Sequence, residues 1–213
     1  MEYSVVIPCA GMGERMKLGY NKLLMVMHNG KRVIENTVSV FLKDSNCKEV
    51  VLVVKESEKN LILEMFNDEK IKVAIGGKTR QESCFNGLNV VSYPHVLIHD
   101  GARPFITQSI IDRCLRALEE HEACLVAVNC KDTVKYVENG VVVNTPPREN
   151  LMLAQTPQAF KTKAILECHQ QAKNHRDIVT DDSSIYELYG KEKVFIVEGD
   201  YANIKITTPE DIF

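Results

Sequence analysis

The chain has 213 residues, 45% of them apolar, and a formal net charge of −3. That length buries a sizeable core, so a single domain over residues 1–213 is expected, and the faintly acidic balance without a long basic run excludes a nucleic-acid groove or an anionic membrane surface as the partner. The N-terminus enters a strand with no charged, apolar and cleavable leader, and no apolar run approaches the roughly 18 residues of a membrane span, so the cytoplasm is the expected location.

The first segment organises the rest. Val5-Val6-Ile7-Pro8 reads as a buried strand that stops at the proline and opens into Cys9-Ala10-Gly11-Met12-Gly13, small residues whose bare backbone can approach a phosphate group. Arg15 and Lys22 add the two cations that a polyphosphate needs for neutralisation and for holding its oxygens. A dinucleotide fingerprint would place a third glycine where Met16 stands, and a P-loop would need Gly-Lys-Ser or Gly-Lys-Thr; neither pattern is present. The 7 cysteines are odd in number, scattered from Cys9 to Cys168 and never spaced Cys-x-x-Cys, so they read as reduced core thiols. Cys9 itself reads as a small residue in a tight turn rather than a reactive thiol.

Further along, Val33 to Leu42 has apolar positions near helical spacing, and Glu49 to Val54 is a second buried-strand candidate. A helix over about 57–66 and a strand from Lys72 to Ile75 follow. This alternation predicts a parallel sheet covered on both faces, with ligands gathered at the carboxyl ends of its strands. Gly76-Gly77-Lys78-Thr79-Arg80-Gln81-Glu82-Ser83 opens a helix expected to run to Val91. Its paired glycines admit a flat ligand, and Arg80 and Ser83, three apart, share one side of the helix start. A base-and-ribose pocket fits; a plain helix entry with an exposed arginine is the alternative.

Val96-Leu97-Ile98-His99-Asp100-Gly101 then puts an aspartate at the end of an apolar strand, where it can aim into the cleft and meet magnesium beside phosphates. Asp100 is the expected metal-side carboxylate. Capping the next helix is the alternative, although Thr107 is placed to do that. His95 and His99, four apart on one strand face, read as structural rather than as a zinc site.

Asp132 to Val137 and Val141 to Thr145 are β-prone runs around Glu138-Asn139-Gly140, a strong hairpin signal, so an arm is expected over about 132–152. Such an arm exposes apolar surface that pairing with a second copy would cover. Lys161 to Lys173 has helical spacing with Ala164, Ile165, Cys168 and Ala172 inward. Thr180-Asp181-Asp182-Ser183-Ser184 begins like a capped helix, its two acids read either as a metal pair or, preferably, as partners of the helix dipole. In Ile204-Lys205-Ile206 a lysine sits among apolar neighbours in an expected strand, where it either snorkels to water or serves a phosphate.

Taken in order, these motifs resemble the 2-C-methyl-D-erythritol 4-phosphate cytidylyltransferase family from Val5 to Asp211. The similarity rests on Gly-x-Gly-x-Arg-Met with Lys22, Gly-Gly-x-x-Arg-x-x-Ser at 76–83, His-Asp-x-Ala-Arg-Pro at 99–104 and Asp132-Thr133-Val134-Lys135. It continues through Arg148, Ala154-Gln155-Thr156-Pro157-Gln158-Ala159-Phe160, Thr180-Asp181-Asp182 and Asn203-Ile204-Lys205-Ile206-Thr207. There are departures: Asn21 where the family often has proline, Gly101 where it often has alanine, and Leu23-Leu24-Met25 in place of a Gln-aromatic start. Neither of the first two removes a charge or a ligand atom.

The resemblance implies an α/β, Rossmann-like nucleotidyltransferase fold, and a homodimer whose β-hairpin arm reaches the partner's active site. It implies CTP and a polyol phosphate as substrates and magnesium as cofactor. Pro8, Cys9, Ala10, Gly11, Gly13, Gly77, Arg80, Ser83, Asp100 and Gly101 would contact the nucleotide. Asp100, Arg103, Thr133, Arg148, Thr156, Thr180 and Lys205 would hold the polyol phosphate, and Arg15, Lys22, Arg148 and Lys205 would act in catalysis. In that chemistry a phosphate oxygen attacks the α-phosphorus of CTP in line, and no general base is needed because a phosphate monoester with a second pKa of about 6 is already ionised. Two other readings stand beside it: a ribitol-5-phosphate cytidylyltransferase of cell-wall polymer synthesis, and a non-catalytic nucleotide sensor. The full charged set argues against the second, and the Asp132–Lys135 and Thr180–Ser183 forms argue against the first.

Overall fold

The computed structural model describes residues 1–11, 21–173, 179–208 and 211. Strand β1 (Tyr3–Pro8) is buried on both sides, and its alternate residues serve different layers: Val5 and Ile7 join one core cluster, Val6 the other. Around it run β2 (Cys47–Val54), β3 (Ile71–Ile75), β4 (His95–Ile98), β5 (Ala123–Asn129), β8 (Met152–Lys161) and β9 (Phe195–Glu198), while β6 (Tyr136–Glu138) and β7 (Val141–Asn144) stand apart as a hairpin. Among the described residues the main sheet has 7 strands in the order β3-β2-β1-β4-β8-β5-β9. The pairs β2/β3, β1/β2, β1/β4 and β5/β9 are parallel, and β8 alone runs against its neighbours, Ala159 lying opposite Leu97 on one side and Cys124 on the other. The α/β expectation of a mostly parallel sheet therefore holds.

Helices cover both faces, as a sheet of continuous apolar strands requires. On one side α1 (Val33–Lys43) contributes Ile34, Val38 and Phe41, α2 (Lys59–Met65) contributes Ile62, and α4 (Gln108–Glu120) contributes Ile110, Ile111, Cys114 and Leu118. On the other, α3 (Arg80–Leu88), α5 (Thr162–Ala172) and α6 (Asp182–Tyr189) insert Cys84, Leu88, Ile165, Cys168, Ala172, Ile185 and Tyr186. α3 lies very close to the sheet because Gly87 has no side chain: a Cβ there would sit 2.5 Å from Val6 Cγ1 and 2.7 Å from Val53 Cγ2. All 7 cysteines are buried and unpaired, as the scattered spacing predicts.

Several boundaries differ from the sequence reading. The helix over 57–66 is split into a tight turn at Glu56–Glu58 and α2. α3 stops at Leu88, short of Val91, because Asn89 caps it: its amide Nδ2 donates to the Phe85 carbonyl at 2.7 Å. Thr107 occupies the N-cap position of α4 but makes no side-chain cap bond. The strand expected at Ile204–Ile206 does not form; Ile206 N–H makes a backbone bond to the Ala102 carbonyl at 2.8 Å and the segment is otherwise irregular. In the hairpin, Asn139 (φ 50°) and Gly140 (φ 79°) both take positive φ, the requirement of a type I′ turn, but β6 starts only at Tyr136.

The chain builds β1, β2 and β3 outward and then returns to lay β4 on the other side of β1. This reversal opens a crevice beyond the carboxyl ends of β1 and β4, the place where open α/β sheets take their ligands.

Candidate active site

The crevice is a cavity of about 480 Å³ lined by Pro8, Cys9, Ala10, Gly11, Asn21, Lys22 and Leu23 from the first loop, Gly77 to Arg80 and Ser83 from the third, Asp100 to Ala102 after β4, and Lys205 and Thr207 from the tail. Gly13 and Arg15 lie outside the described residues. Small side chains set the wall: a Cβ on Gly76 would fall 2.6 Å from the Ala10 Cβ, so the first and third loops meet because both are bare there. The third loop is held by its own helix start. Ser83 Oγ accepts from Gly77 N–H (3.1 Å) and donates to the Thr79 carbonyl (2.9 Å), and Thr79 caps α3 through Glu82 N–H (3.1 Å). Asn21 fastens the first loop, its Nδ2 donating to the Cys9 carbonyl at 2.9 Å and to Glu58 Oε2 at 3.0 Å.

Asp100 is the centre of charge. Lys205 Nζ stands 2.9 Å from its Oδ2, Arg103 Nε 3.5 Å from the same oxygen, and Arg80 Nη2 3.8 Å from Oδ1. Burial alone would raise the carboxyl pKa, but Lys205, then Arg80 and Arg103, outweigh it and hold the group at about 2. It is a fixed anion. Arg103 is itself anchored from the tail and from β8, its Nη1 donating to the Asn203 carbonyl at 2.8 Å and its Nη2 reaching the Ala154 carbonyl at 3.5 Å. Lys22 Nζ donates to the Ile206 carbonyl at 2.7 Å, so the residue next to Lys205 in sequence holds a second lysine of the cavity.

Beneath Asp100 lies a buried polar stack. Asp100 N–H donates to Thr156 Oγ1 at 3.0 Å, Thr156 Oγ1 is 3.0 Å from His99 Nδ1, and His99 Nε2 is 3.2 Å from the Arg103 carbonyl. A carbonyl can only accept, so the imidazole proton sits on Nε2 and the threonine hydroxyl donates to Nδ1. Burial lowers the His99 pKa to about 4 and keeps the ring neutral, in keeping with a structural histidine.

The other expected site residues lie further off. Thr156 is buried under Asp100 rather than lining the cavity. Thr180 is exposed just ahead of α6, and Thr133 is exposed in the arm. Arg148 donates to the Lys131 carbonyl at 2.8 Å and borders a separate cavity of about 560 Å³ with Asn129, Cys130, Lys131, Glu149 and Tyr201. Asp181 and Asp182 divide the work that the sequence left open: Asp181 caps α6 through Ser184 N–H (2.9 Å), while Asp182 is buried against Arg80. Among the described residues no group of three or more His, Cys, Asp or Glu could hold a metal by itself.

Comparison with known proteins supplies the deciding observation: the profile of 2-C-methyl-D-erythritol 4-phosphate cytidylyltransferase (IspD) matches residues 3–213. The chain belongs to the 2-C-methyl-D-erythritol 4-phosphate cytidylyltransferase family. Relatives bearing that name include one from Halalkalibacterium halodurans, 45% identical with 100% of this chain and 94% of the relative covered, and one from Bacillus mycoides, 43% identical with 99% and 94% covered. A crystal structure of 4-diphosphocytidyl-2C-methyl-D-erythritol synthase from Anaerococcus prevotii superposes with a TM-score of 0.87 at 35% identity, covering 99% of this chain and 94% of that one. Within the family frame, two departures turn out to be neighbours in space. A Cβ on Gly101 would lie 3.0 Å from Leu23 Cδ1, so the room an alanine methyl would use is taken by Leu23.

Proposed function

We propose that the chain transfers the cytidylyl group of CTP to 2-C-methyl-D-erythritol 4-phosphate, giving 4-diphosphocytidyl-2-C-methyl-D-erythritol and pyrophosphate. The observation that carries this reading is the convergence of Lys22, Lys205 and Asp100 on one cavity at the switch point of the sheet, in a chain matched by the family profile throughout. A phosphate oxygen of the polyol attacks the α-phosphorus in line, the bond from the α-phosphorus to the bridging oxygen breaks, and that electron pair leaves with pyrophosphate. The protein's contribution is orientation and charge. Lys22 meets the charge that builds on the α-phosphate and leaving group, a role that the motif also assigns to Arg15, outside the described residues; Lys205 and Arg148 hold the incoming phosphate. Lys22 donates to the Ile206 carbonyl and Lys205 pairs with Asp100, acceptors that the phosphates of the two substrates would replace.

The small residues of the first loop and Gly77, Arg80 and Ser83 form the nucleotide side. Asp100 fits magnesium in one way: an ionised carboxylate facing the cavity contributes one ligand, and the triphosphate supplies others, as this hard cation prefers. Bound there, magnesium would neutralise phosphate charge. Thr133 and Arg148 stand on or beside an arm whose Val141, Val142 and Val143 are 67%, 54% and 53% exposed, and we propose that a second copy covers it and brings those residues to the neighbouring site. No helix among the described residues is long and apolar enough to cross a membrane. The cytoplasm is the compartment we propose, since a reducing milieu suits 7 unpaired thiols.

Pyrophosphate release from CTP and magnesium, measured with methylerythritol 4-phosphate and ribitol 5-phosphate in parallel, tests the proposal. Turnover with the first alone is expected. Preference for ribitol 5-phosphate, or CTP binding without turnover, overturns it.

A further inference from the structure

Arg80 has a second partner behind the cavity wall. Its Nη1 lies 2.7 Å from Asp182 Oδ2, while its Nη2 faces Asp100 Oδ1 at 3.8 Å. Asp182 is wholly buried, and its other oxygen is 3.1 Å from Nε2 of the buried His169, whose ring stacks on Phe85 with centroids 6.1 Å apart. His169 Nδ1 has no hydrogen-bond partner among the described residues. Burying a carboxylate and an imidazole against a half-buried guanidinium costs desolvation that their attraction scarcely offsets, so stability alone is a weak reason for this group. Placement is a stronger one. Gln158 on β8 donates to Asp181 Oδ2 at 2.6 Å and accepts from Ser183 N–H at 2.9 Å, which pins the first turn of α6 to the strand that carries Thr156 under Asp100. One strand thus fixes both carboxylates, and the guanidinium is suspended between them.

We infer that Asp182, held by His169, is a positioning residue that sets the orientation in which Arg80 meets the nucleotide. The inference rests on the reading of the cavity as the CTP site. With Asp182 in place, the guanidinium is drawn back toward α6 and Asp100 keeps its carboxylate for the cavity. Without it, Asp100 is the carboxylate left beside Arg80; the guanidinium closes onto it, and nucleotide loses both an oriented donor fork and an available anion.

The test is calorimetric binding of CTP in magnesium buffer to the full chain and to Arg80→Ala, Asp182→Asn and the double variant. Each single variant is expected to weaken CTP by about tenfold or more, the range of a charge-assisted hydrogen bond. The double variant is expected to bind no more weakly than Arg80→Ala alone, since Asp182 acts through the arginine. Equal losses from Asp182→Asn in both backgrounds would mean a merely structural role and overturn the inference. Should Asp182→Asn fail to fold, His169 carries the test. His169→Gln retains an amide donor for Asp182 and is expected to stay within about threefold of wild-type affinity, whereas His169→Leu loses about tenfold. Wild-type affinity in both refutes the positioning role. If the wild-type chain binds CTP but transfers no cytidylyl group, the proposed reaction fails while these affinities still decide the inference; a chain without CTP affinity sinks both.

Discussion

Replacing Thr156 by valine removes one oxygen and keeps the shape of the side chain. That oxygen makes two contacts at 3.0 Å, accepting from Asp100 N–H and donating to His99 Nδ1, in a site only 4% exposed. Each of the two groups is left without its partner in a place water does not reach, and each such loss costs about 1–3 kcal/mol, so the variant is expected to lose about 2–6 kcal/mol of stability. For a chain of this size the melting temperature should fall by roughly 6–18 °C. Activity should fall too, because the peptide that carries Asp100 loses its tether, and a displacement near 1 Å in a positioned group costs on the order of 10²-fold in rate. Thr156→Ser keeps the hydroxyl and removes only a methyl, at a cost of about 0.5–1.5 kcal/mol. Differential scanning fluorimetry and pyrophosphate release on both variants check the argument. An unchanged melting temperature in Thr156→Val, with a raised KM for the polyol phosphate alone, would mean that the hydroxyl touches substrate instead of supporting Asp100.

Lys22→Ala, which removes a cation aimed at developing charge, should lower kcat on the order of 10²–10³-fold, and wild-type turnover in the folded variant would sink that assignment. Gly87→Ala forces a methyl to within 2.5 Å of Val6 Cγ1 and 2.7 Å of Val53 Cγ2. A loss of about 1–3 kcal/mol is expected, read as a lower urea midpoint with an unchanged slope; an unaltered midpoint would show that α3 moves off the sheet freely. Acid should act in two stages. Burial holds His99 at about 4 in the fold, against 6.5 for a free imidazole, so the unfolded chain binds the extra proton and stability falls as pH drops from about 6.5 to 4. Asp100, held at about 2 against 3.8, contributes stability that is present above about 3.8 and lost as pH falls toward 2. Urea midpoints across pH 7 to 3 measure the first stage, and His99→Gln should flatten the decline between pH 6.5 and 4; a curve identical to wild type would refute the role given to His99.

Strands β1 to β4, both helical layers and the ligand side of the sheet were legible because each rests on local pattern: β-branched runs, helical spacing, glycines at strand ends; β5, β8 and β9 were not among the expected strands. Cys9, Gly77, Arg80 and Asp100 come together as the motif positions imply, since strand ends in a parallel sheet converge on one edge, and Lys205 joins them from the irregular tail. What the sequence could not show was the network of partners. Thr156 and His99 are 57 positions apart, and Arg80 and Asp182 still further; only the topology makes them neighbours. Nor does a hydrophobic pattern reveal that Leu23 fills the space beside Gly101, or that Asn21 ties the first loop to Glu58. The Ile204–Ile206 error has the same origin. Apolar alternation there reflects packing of Ile206 in the core and a tether to Ala102, without the neighbouring strand that a ladder would need.

The antiparallel course of β8 ties these observations together. A parallel strand in that position would need a crossover of a dozen or more residues, usually a helix, after β5. Here the chain leaves β5, makes the hairpin arm, and returns directly between β4 and β5. The returning strand therefore reaches the edge of the sheet where the ligand cavity lies with Ala154, Gln155 and Thr156 and carries Gln158 just behind them. Each has a task there: Ala154 offers its carbonyl to Arg103, Gln155 donates to the Asp200 carbonyl at 2.8 Å, Thr156 supports Asp100, and Gln158 docks α6. Three parts of the site, from the end of β4, the tail and the helix layer, thus take their positions from one strand. A cut or insertion within the arm leaves that strand's pairing with β4 and β5 intact, whereas a break in β8 itself would release Asp100, Arg103 and α6 at once.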